Sequence, residues 1–295
     1  MKEIVVISGK GGTGKTSVTA SLAVMAGDAV MADCDVDAAD LHLILAPRNT
    51  ETHEFYSGNR AVIREQSCMG CGACKMQCRF DAIRPGGFID GRPIFRIDPV
   101  ACEGCGVCVR FCPLQAIDFP VQLCGKWMVA ETRCGPMVHA RLGVAAENSG
   151  KLVSVVRSKA REIAEEKKAS WLIVDGPPGI GCPVIASVTG ADAVLAVTEP
   201  TLSGKHDLDR VARLVSHFKI PLLICVNKWD LNPAITADIE QYAIDNHAYF
   251  CGKISYDPAV THAQVNGKSV VEYGASQAEG EIRQIWETIQ NELGR

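Results

Sequence analysis

Short apolar runs of about five residues, rich in β-branched side chains and bounded by glycine, proline or charge, recur along most of the chain. They fall at residues 3–7 (EIVVI), 29–34, 171–175, 193–198, 222–226 and 249–254. Runs that are apolar throughout predict strands buried on both faces, as in a parallel sheet. The stretches between them, such as GKTSVTASLAVMAG after the first run, have helical character. This alternation predicts an α/β fold: a mainly parallel sheet covered on both faces, with ligands at the carboxyl ends of the strands. The pattern lapses in the middle of the chain, where cysteine and glycine dominate. Residues 1–59 and 125–295 are therefore expected to form one discontinuous domain, and residues 60–124 a smaller inserted one. The tail EIRQIWETIQNELGR has helical spacing, but its apolar face is too narrow and its basic residues too few for a membrane anchor, so it reads as a packed terminal helix.

Composition narrows the setting. With 295 residues and 47% hydrophobic content the chain can bury one large core and still carry a small module. No apolar run is long enough to span a bilayer, and the chain passes from MKEIVVISGK directly into a strand, so a cytoplasmic location is expected. A formal net charge of −4 gives no general attraction to nucleic acid or to an anionic membrane. Fourteen cysteines, in a compartment that keeps thiols reduced, point to metal ligation rather than disulfides.

Between the first strand and first helix lies GKGGTGKTS. Gly9, Gly14, Lys15 and Thr16 match G-x-x-x-x-G-K-[ST], a loop whose amides surround phosphates while the lysine meets the β/γ oxygens and the threonine binds Mg²⁺. Gly11, Gly12, Thr13 and Ser17 complete the expected nucleotide contacts.

The additional Lys10 in KGGTGKT resembles the deviant Walker A motif of the MinD/ParA family, which includes the Mrp-type cluster carriers and the nitrogenase iron protein. The resemblance implies a P-loop ATPase in which Lys10 reaches the partner subunit's phosphates, so that ATP is sandwiched in a homodimer. Asp33 and Asp35 match the family's D-x-D at its first switch. Asp35 is expected to position the attacking water and Asp33 to support the Mg²⁺ shell. WLIVDGPPG matches a Walker B strand and second switch, with Asp175 near Mg²⁺ and the Gly179 backbone sensing the γ-phosphate. Asn227 matches the base-contacting asparagine. Lys228 and Asp230 also echo the N-K-x-D signature of GTPases, so this stretch alone admits GTP, whereas the first loop favours ATP. Asp257 and Pro258 resemble the family's last base-side loop, or an ordinary loop.

Cys68, Cys71, Cys74 and Cys78 form C-x₂-C-x₂-C-x₃-C, and Cys102, Cys105, Cys108 and Cys112 repeat it, followed by Pro113. Zinc competes for C-x₂-C pairs, but its ribbons use two cysteines per knuckle. Residues 60–120 resemble bacterial two-cluster ferredoxins, implying an α+β ferredoxin-like insert that holds two [4Fe-4S] clusters. In these, the fourth cysteine of each motif completes the other site. Cys68, Cys71, Cys74 and Cys112 are thus expected on one cluster, and Cys102, Cys105, Cys108 and Cys78 on the other. Arg79 stands where that family has proline, changing a turn rather than the ligation.

Of the remaining cysteines, Cys34, Cys225 and Cys251 read as core packing. Cys182 sits seven residues after Asp175, the offset of a bridging-cluster ligand in the nitrogenase iron protein; its best upstream companions are Cys134 and His139. The segment 139–157 re-enters the ATPase fold with no chemistry assigned.

Three functions compete: a nucleotide-driven dimer switch coupled to electron transfer or metallocofactor maturation, with a redox or metallocofactor protein as partner; an Mrp-type iron–sulfur carrier; and a spatial positioning ATPase.

Overall fold

The computed structural model describes residues 1–143, 150–274 and 276–294. The expected re-entry segment 139–157 lies partly outside them. In chain order, the first elements are β1 (Lys2–Ser8), α1 (Lys15–Ala26), β2 (Ala29–Asp33), α2 (Leu41–Leu45) and β3 (Arg48–Asn59). The middle of the chain forms β4 (Val62–Ile63), α3 (Ala73–Gln77), β5 (Ile83–Ile89), β6 (Arg92–Ile97), α4 (Val107–Arg110) and β7 (Ile117–Asp118). There follow β8 (Val121–Thr132), β9 (Gly135–Leu142), α5 (Lys151–Lys167), β10 (Trp171–Pro178), α6 (Cys182–Val188), β11 (Ala193–Thr198) and α7 (Leu202–His217). The chain ends with β12 (Leu222–Asn227), α8 (Pro233–Asp245), β13 (Tyr249–Ile254), α9 (Pro258–Val265), α10 (Val270–Tyr273) and α11 (Gln277–Leu293).

Two compact units result. One holds Met1–His53, Lys126–Leu142 and the chain from α5 onward; the other is centred on Glu54–Gly125. The division falls within β3 and within β8.

The larger unit is built on a nine-stranded sheet of order β13-β12-β11-β1-β10-β2-β9-β8-β3. From β13 to β9 every neighbouring pair is parallel. Each apolar run expected as a strand is one, and β1, β2 and β11 are buried almost throughout because helices cover both faces. β3, β8 and β9 extend the sheet beyond these runs. β3, RNTETHEFYSGN, is exposed over most of its length, as an edge strand is, and so carries no apolar run to announce it. The C-terminal helix α11 spends its apolar stripe on the core: Ala278, Ile282, Ile285, Trp286, Ile289 and Leu293 are all buried, with Trp286 packed on Trp171 at 4.8 Å between ring centroids. Among the described residues no helix is long and apolar enough to cross a membrane.

The smaller unit pairs β4 with β7 and β5 with β6, both antiparallel. Helices α3 and α4 pack against each other. Its core is Ala61, Ile63, Cys74, Ile83 and Ile117, closed by Phe95, Ile97, Val109, Phe119 and five further cysteines.

Candidate functional site: a phosphate loop and two cysteine cavities

β1 stands where the strand order reverses, between β11 and β10, so its carboxyl end opens onto the crevice such sheets leave for ligands. The loop leaving it runs to α1 and lines a cleft of about 470 Å³. Its walls include Gly11, Gly12, Thr13, Gly14, Lys15, Thr16 and Ser17, with Asp35, Pro178 and Gln264 opposite. Gly14 caps α1 in the left-handed region (φ 88°), and a Cβ there would run into the Asn227 amide.

Lys15 is buried, its Nζ 2.9 Å from Asp175 Oδ1 and 3.3 Å from Asp35 Oδ2. The acids meet there because β2 and β10 are adjacent and in register, with Asp33 opposite Asp175. Burial works to lower the Lys15 pKa, but the carboxylates of Asp175, Asp35 and Asp33 outweigh it and leave it raised. Burial, and then the Asp175 charge, pushes the Asp33 carboxyl well above its ordinary value; burial also raises Asp35, with Lys15 opposing. The Thr19 hydroxyl donates to Asp175 Oδ1 at 3.0 Å, and the Asp35 amide donates to Asp33 Oδ1 at 3.2 Å.

The second oxygens, Asp33 Oδ2 and Asp175 Oδ2, and the Thr13 hydroxyl are buried without a hydrogen-bond partner. Orphaned carboxylate oxygens beside a phosphate loop are the donor set a hard divalent cation takes, so Thr16, Asp33 and Asp175 fit Mg²⁺. Asp35 forms part of the cleft wall, whereas Asp33 and Asp175 do not; Asp175 bears on it through Lys15.

Other expected contacts are engaged within the protein. Lys10 Nζ lies 3.2 Å from Glu199 Oε2, and Lys228 Nζ is 2.6 Å from Glu199 Oε1. The Gly179 amide donates to Ser8 O at 2.8 Å. The Asn227 amide nitrogen donates to Thr13 O at 2.8 Å, tying the loop to β12. Asp257 caps α9, with Pro258 in its first turn: its oxygens accept from the amides of Ala259 and Ala278. Asp230, the guanine-reading residue of the GTPase echo, accepts from the Tyr256 amide at 2.7 Å.

Three residues here escaped the sequence reading. Thr19 follows Lys15 by one helical turn, a spacing that brings side chains together and was the available signal. Glu199 follows β11, the neighbour of β1. Gln264, which donates to Ser17 Oγ at 2.7 Å, comes from a distant helix and left none.

In the smaller unit the eight cysteines divide into two groups. Cys68, Cys71, Cys74 and Cys112 line one cavity with Ile63 and Phe95. Cys78, Cys102, Cys105 and Cys108 line another with Ile83 and Ile97. Each cavity thus takes three cysteines from one motif and the fourth from the other. The two motifs share their turn chemistry. Gly70 and Gly104 both have positive φ, and a Cβ would strike Pro93 O at the first and Asn59 O at the second. The Ala116 amide donates to Cys112 Sγ at 3.2 Å. Burial, then the neighbouring thiols of Cys102, Cys105 and Cys74, pushes Cys108 up to about 11. Crowded buried thiols are poor anions alone and good ligands to a metal that deprotonates them. Among the described residues no three His, Cys, Asp or Glu side chains converge on one point as ligands of a single ion do.

Cys34, Cys225 and Cys251 are core residues, as expected. Cys182 is exposed at the start of α6. Its suggested companions have other partners: Cys134 packs partly buried against the main core, and His139 Nε2 lies 2.9 Å from Asn49 Oδ1.

Residues 4–270 match the family described as the CobQ/CobB/MinD/ParA nucleotide binding domain. An uncharacterized protein of Methanocaldococcus jannaschii, MJ0578, is 34% identical over 233 residues, 78% of this chain and 79% of that protein. Among solved structures, the MinD cell division protein of Aquifex aeolicus aligns at TM-score 0.58 and 18% identity, covering 99% of this chain and 97% of that one. The septum site-determining protein MinD of Pyrococcus horikoshii, complexed with Mg-ADP, aligns at 0.57 and 17%, covering 99% and 97%. The phosphate loop, the facing acids and the extent of the family match agree: this chain belongs to the CobQ/CobB/MinD/ParA nucleotide-binding family.

Proposed function

We propose that this protein binds and hydrolyses ATP with Mg²⁺, carries two [4Fe-4S] clusters in its inserted ferredoxin-like domain, and couples a nucleotide-driven dimer switch to electron transfer or metallocofactor maturation. The observation that carries the iron–sulfur half is the division of eight cysteines into two cavities, each completed by the other motif's fourth cysteine. The clusters, when bound, supply one-electron chemistry; the protein positions them, shields them with Ile63, Phe95, Ile83 and Ile97, and offers the Ala116 amide to a ligating sulfur.

For hydrolysis, the loop amides and Lys15 hold the β/γ-phosphates. Lys15 remains an ammonium because Asp175 and Asp35 face it. Asp35, on the cleft wall, orients the attacking water. Thr16, on the cleft wall, would hold Mg²⁺, with Asp175 and Asp33 behind it supporting the ion's shell, and the ion would neutralise phosphate charge. Dimer formation requires Lys10 to leave Glu199 for the partner's nucleotide, and a γ-phosphate to take the Gly179 amide from Ser8. The cysteine-bearing unit is inserted between the segments carrying Asp35 and Asp175, which favours coupling of their movement to it. ATP is favoured over GTP because the KGGTGKT loop resembles the deviant Walker A motif of the MinD/ParA family.

The test is anaerobic purification followed by iron and sulfide analysis, expected to give about eight irons per chain. Electron paramagnetic resonance with and without ATP then reads the coupling. An iron-free, folded, ATP-hydrolysing preparation refutes the cluster assignment; identical spectra and potentials refute the coupling alone.

A further inference from the structure

The first turn of α1 leaves one hydroxyl proton uncommitted. A serine in a helix often donates that proton to the carbonyl one turn back, and Ser21 and Ser154 do so here, to Ser17 O at 2.8 Å and Gly150 O at 3.0 Å. Ser17 does not. The carbonyls behind it are engaged by others, Thr13 O by the Asn227 side-chain amide and Gly14 O by the Val18 backbone amide. Its Oγ instead accepts from Gln264 Nε2 at 2.7 Å, and among the described residues it donates to none. Ser17 is buried, yet both it and Gln264 wall the nucleotide cleft.

An amide nitrogen donates and does not accept, so a serine oxygen that takes a hydrogen bond from Gln264 must turn its own proton elsewhere. The cleft that both residues wall is where an acceptor can meet it. Lys15 and Thr16 serve the β/γ-phosphates and Mg²⁺ in the reading above, which leaves the α-phosphate, the one joined to the ribose, for Ser17 one residue further into the helix. Gln264 is neutral, so it sets the direction of this bond without adding a charge to the site. Its helix is fixed at both ends: Asp257 caps α9 through the Ala259 amide at 2.8 Å, and Arg133 Nη2 donates to Gly267 O, just beyond the helix, at 3.2 Å. Ala263, beside Gln264, is buried.

We propose that Gln264 is a positioning residue for the nucleotide, holding the Ser17 hydroxyl as a donor to the α-phosphate. This rests on the nucleotide half of the function proposed above and is independent of the iron–sulfur half. The α-phosphate keeps its charge and place while the γ-phosphate is cleaved, so the bond acts on binding rather than on turnover.

The test measures Mg-ADP affinity and ATP hydrolysis on the full chain. Gln264 is exposed, and its substitutions leave the core untouched. Gln264→Leu, similar in size but without the amide, is expected to weaken ADP about three- to tenfold and to raise KM for ATP by the same factor, with kcat within about twofold of wild type. Gln264→Glu is expected to lose more, about tenfold or more, because a carboxylate takes the Ser17 proton and sets a negative charge beside the phosphates. Ser17→Ala/Gln264→Leu is expected to bind ADP no more weakly than Ser17→Ala, since Gln264 acts through that hydroxyl. Equal ADP affinity of Gln264→Glu and wild type overturns the proposal, as does a kcat that falls while KM holds. Additive losses in the double variant also overturn it, because they assign Gln264 to support of the fold rather than of Ser17. In these three cases ADP binding by the wild type leaves the nucleotide reading standing. A folded wild-type protein that binds no ADP overturns that reading and the proposal together.

Discussion

The sheet unit closes its core with aliphatic and aromatic side chains, from Ile4 and Leu22 to Ile285 and Trp286, whereas the cysteine-bearing unit closes a much smaller core with thiols. The first has the hydrophobic burial to fold by itself. The second, some seventy residues with few buried aliphatics, lies in the size range where a metal commonly completes the fold. The difference teaches that one chain can hold a cleft resting on a finished core and cavities whose lining thiols are part of the core itself. In the sheet unit nucleotide is an addition; in the smaller unit iron would be a structural component.

The largest effect expected from this contrast is that of Cys74→Ser. Removing a buried thiol shared by core and cavity should abolish the cluster of that cavity, about half of the iron, and open residues 54–125 to protease. Nucleotide binding should survive. Its loss in iron assays and nucleotide titrations run side by side would break the contrast. Next, Lys15→Ala should lower ATP turnover about 10²–10³-fold, since it deletes the charge facing the transferred phosphate, while iron content stays unchanged.

The smallest effect concerns acid. Burial, helped by His42, lowers His139 to about 4 from its ordinary 6.5, so the unfolded chain takes up that proton first. The resulting stability is complete above 6.5 and is lost as pH falls toward 4. Arg133, at 2.7 Å, and Ser269 hold Glu272 at about 2 against an ordinary 4.5, adding a contribution lost between 4.5 and 2. Denaturant unfolding of the sheet unit should weaken through both windows, and Glu272→Gln should flatten the lower one.

Much of this was legible in sequence for a physical reason. Parallel strands buried on both faces must be apolar throughout, and a phosphate loop needs its glycines at fixed spacing, so β1, α1 and Lys15 announced themselves. The edge strand β3 did not, because solvent leaves Thr50, Glu51 and His53 free to be polar. Pairings across the fold were equally silent: Glu199 between Lys10 and Lys228, or Gln264 on Ser17, depend on which strands and helices become neighbours. Asn227 shows the intermediate case. The residue was legible, whereas its bond to Thr13 O required the fold.

That bond has a kinetic corollary. A turn braced from β12, two strands away from β1, with glycine the one residue that fits beneath the brace, has its final shape before any anion arrives. Capture of a phosphate then involves little rearrangement at the turn itself, and its speed is set by diffusion and by departure of water from the amides. Loosening the brace, as in Asn227→Ala, converts a ready receptor into one that must first find its form.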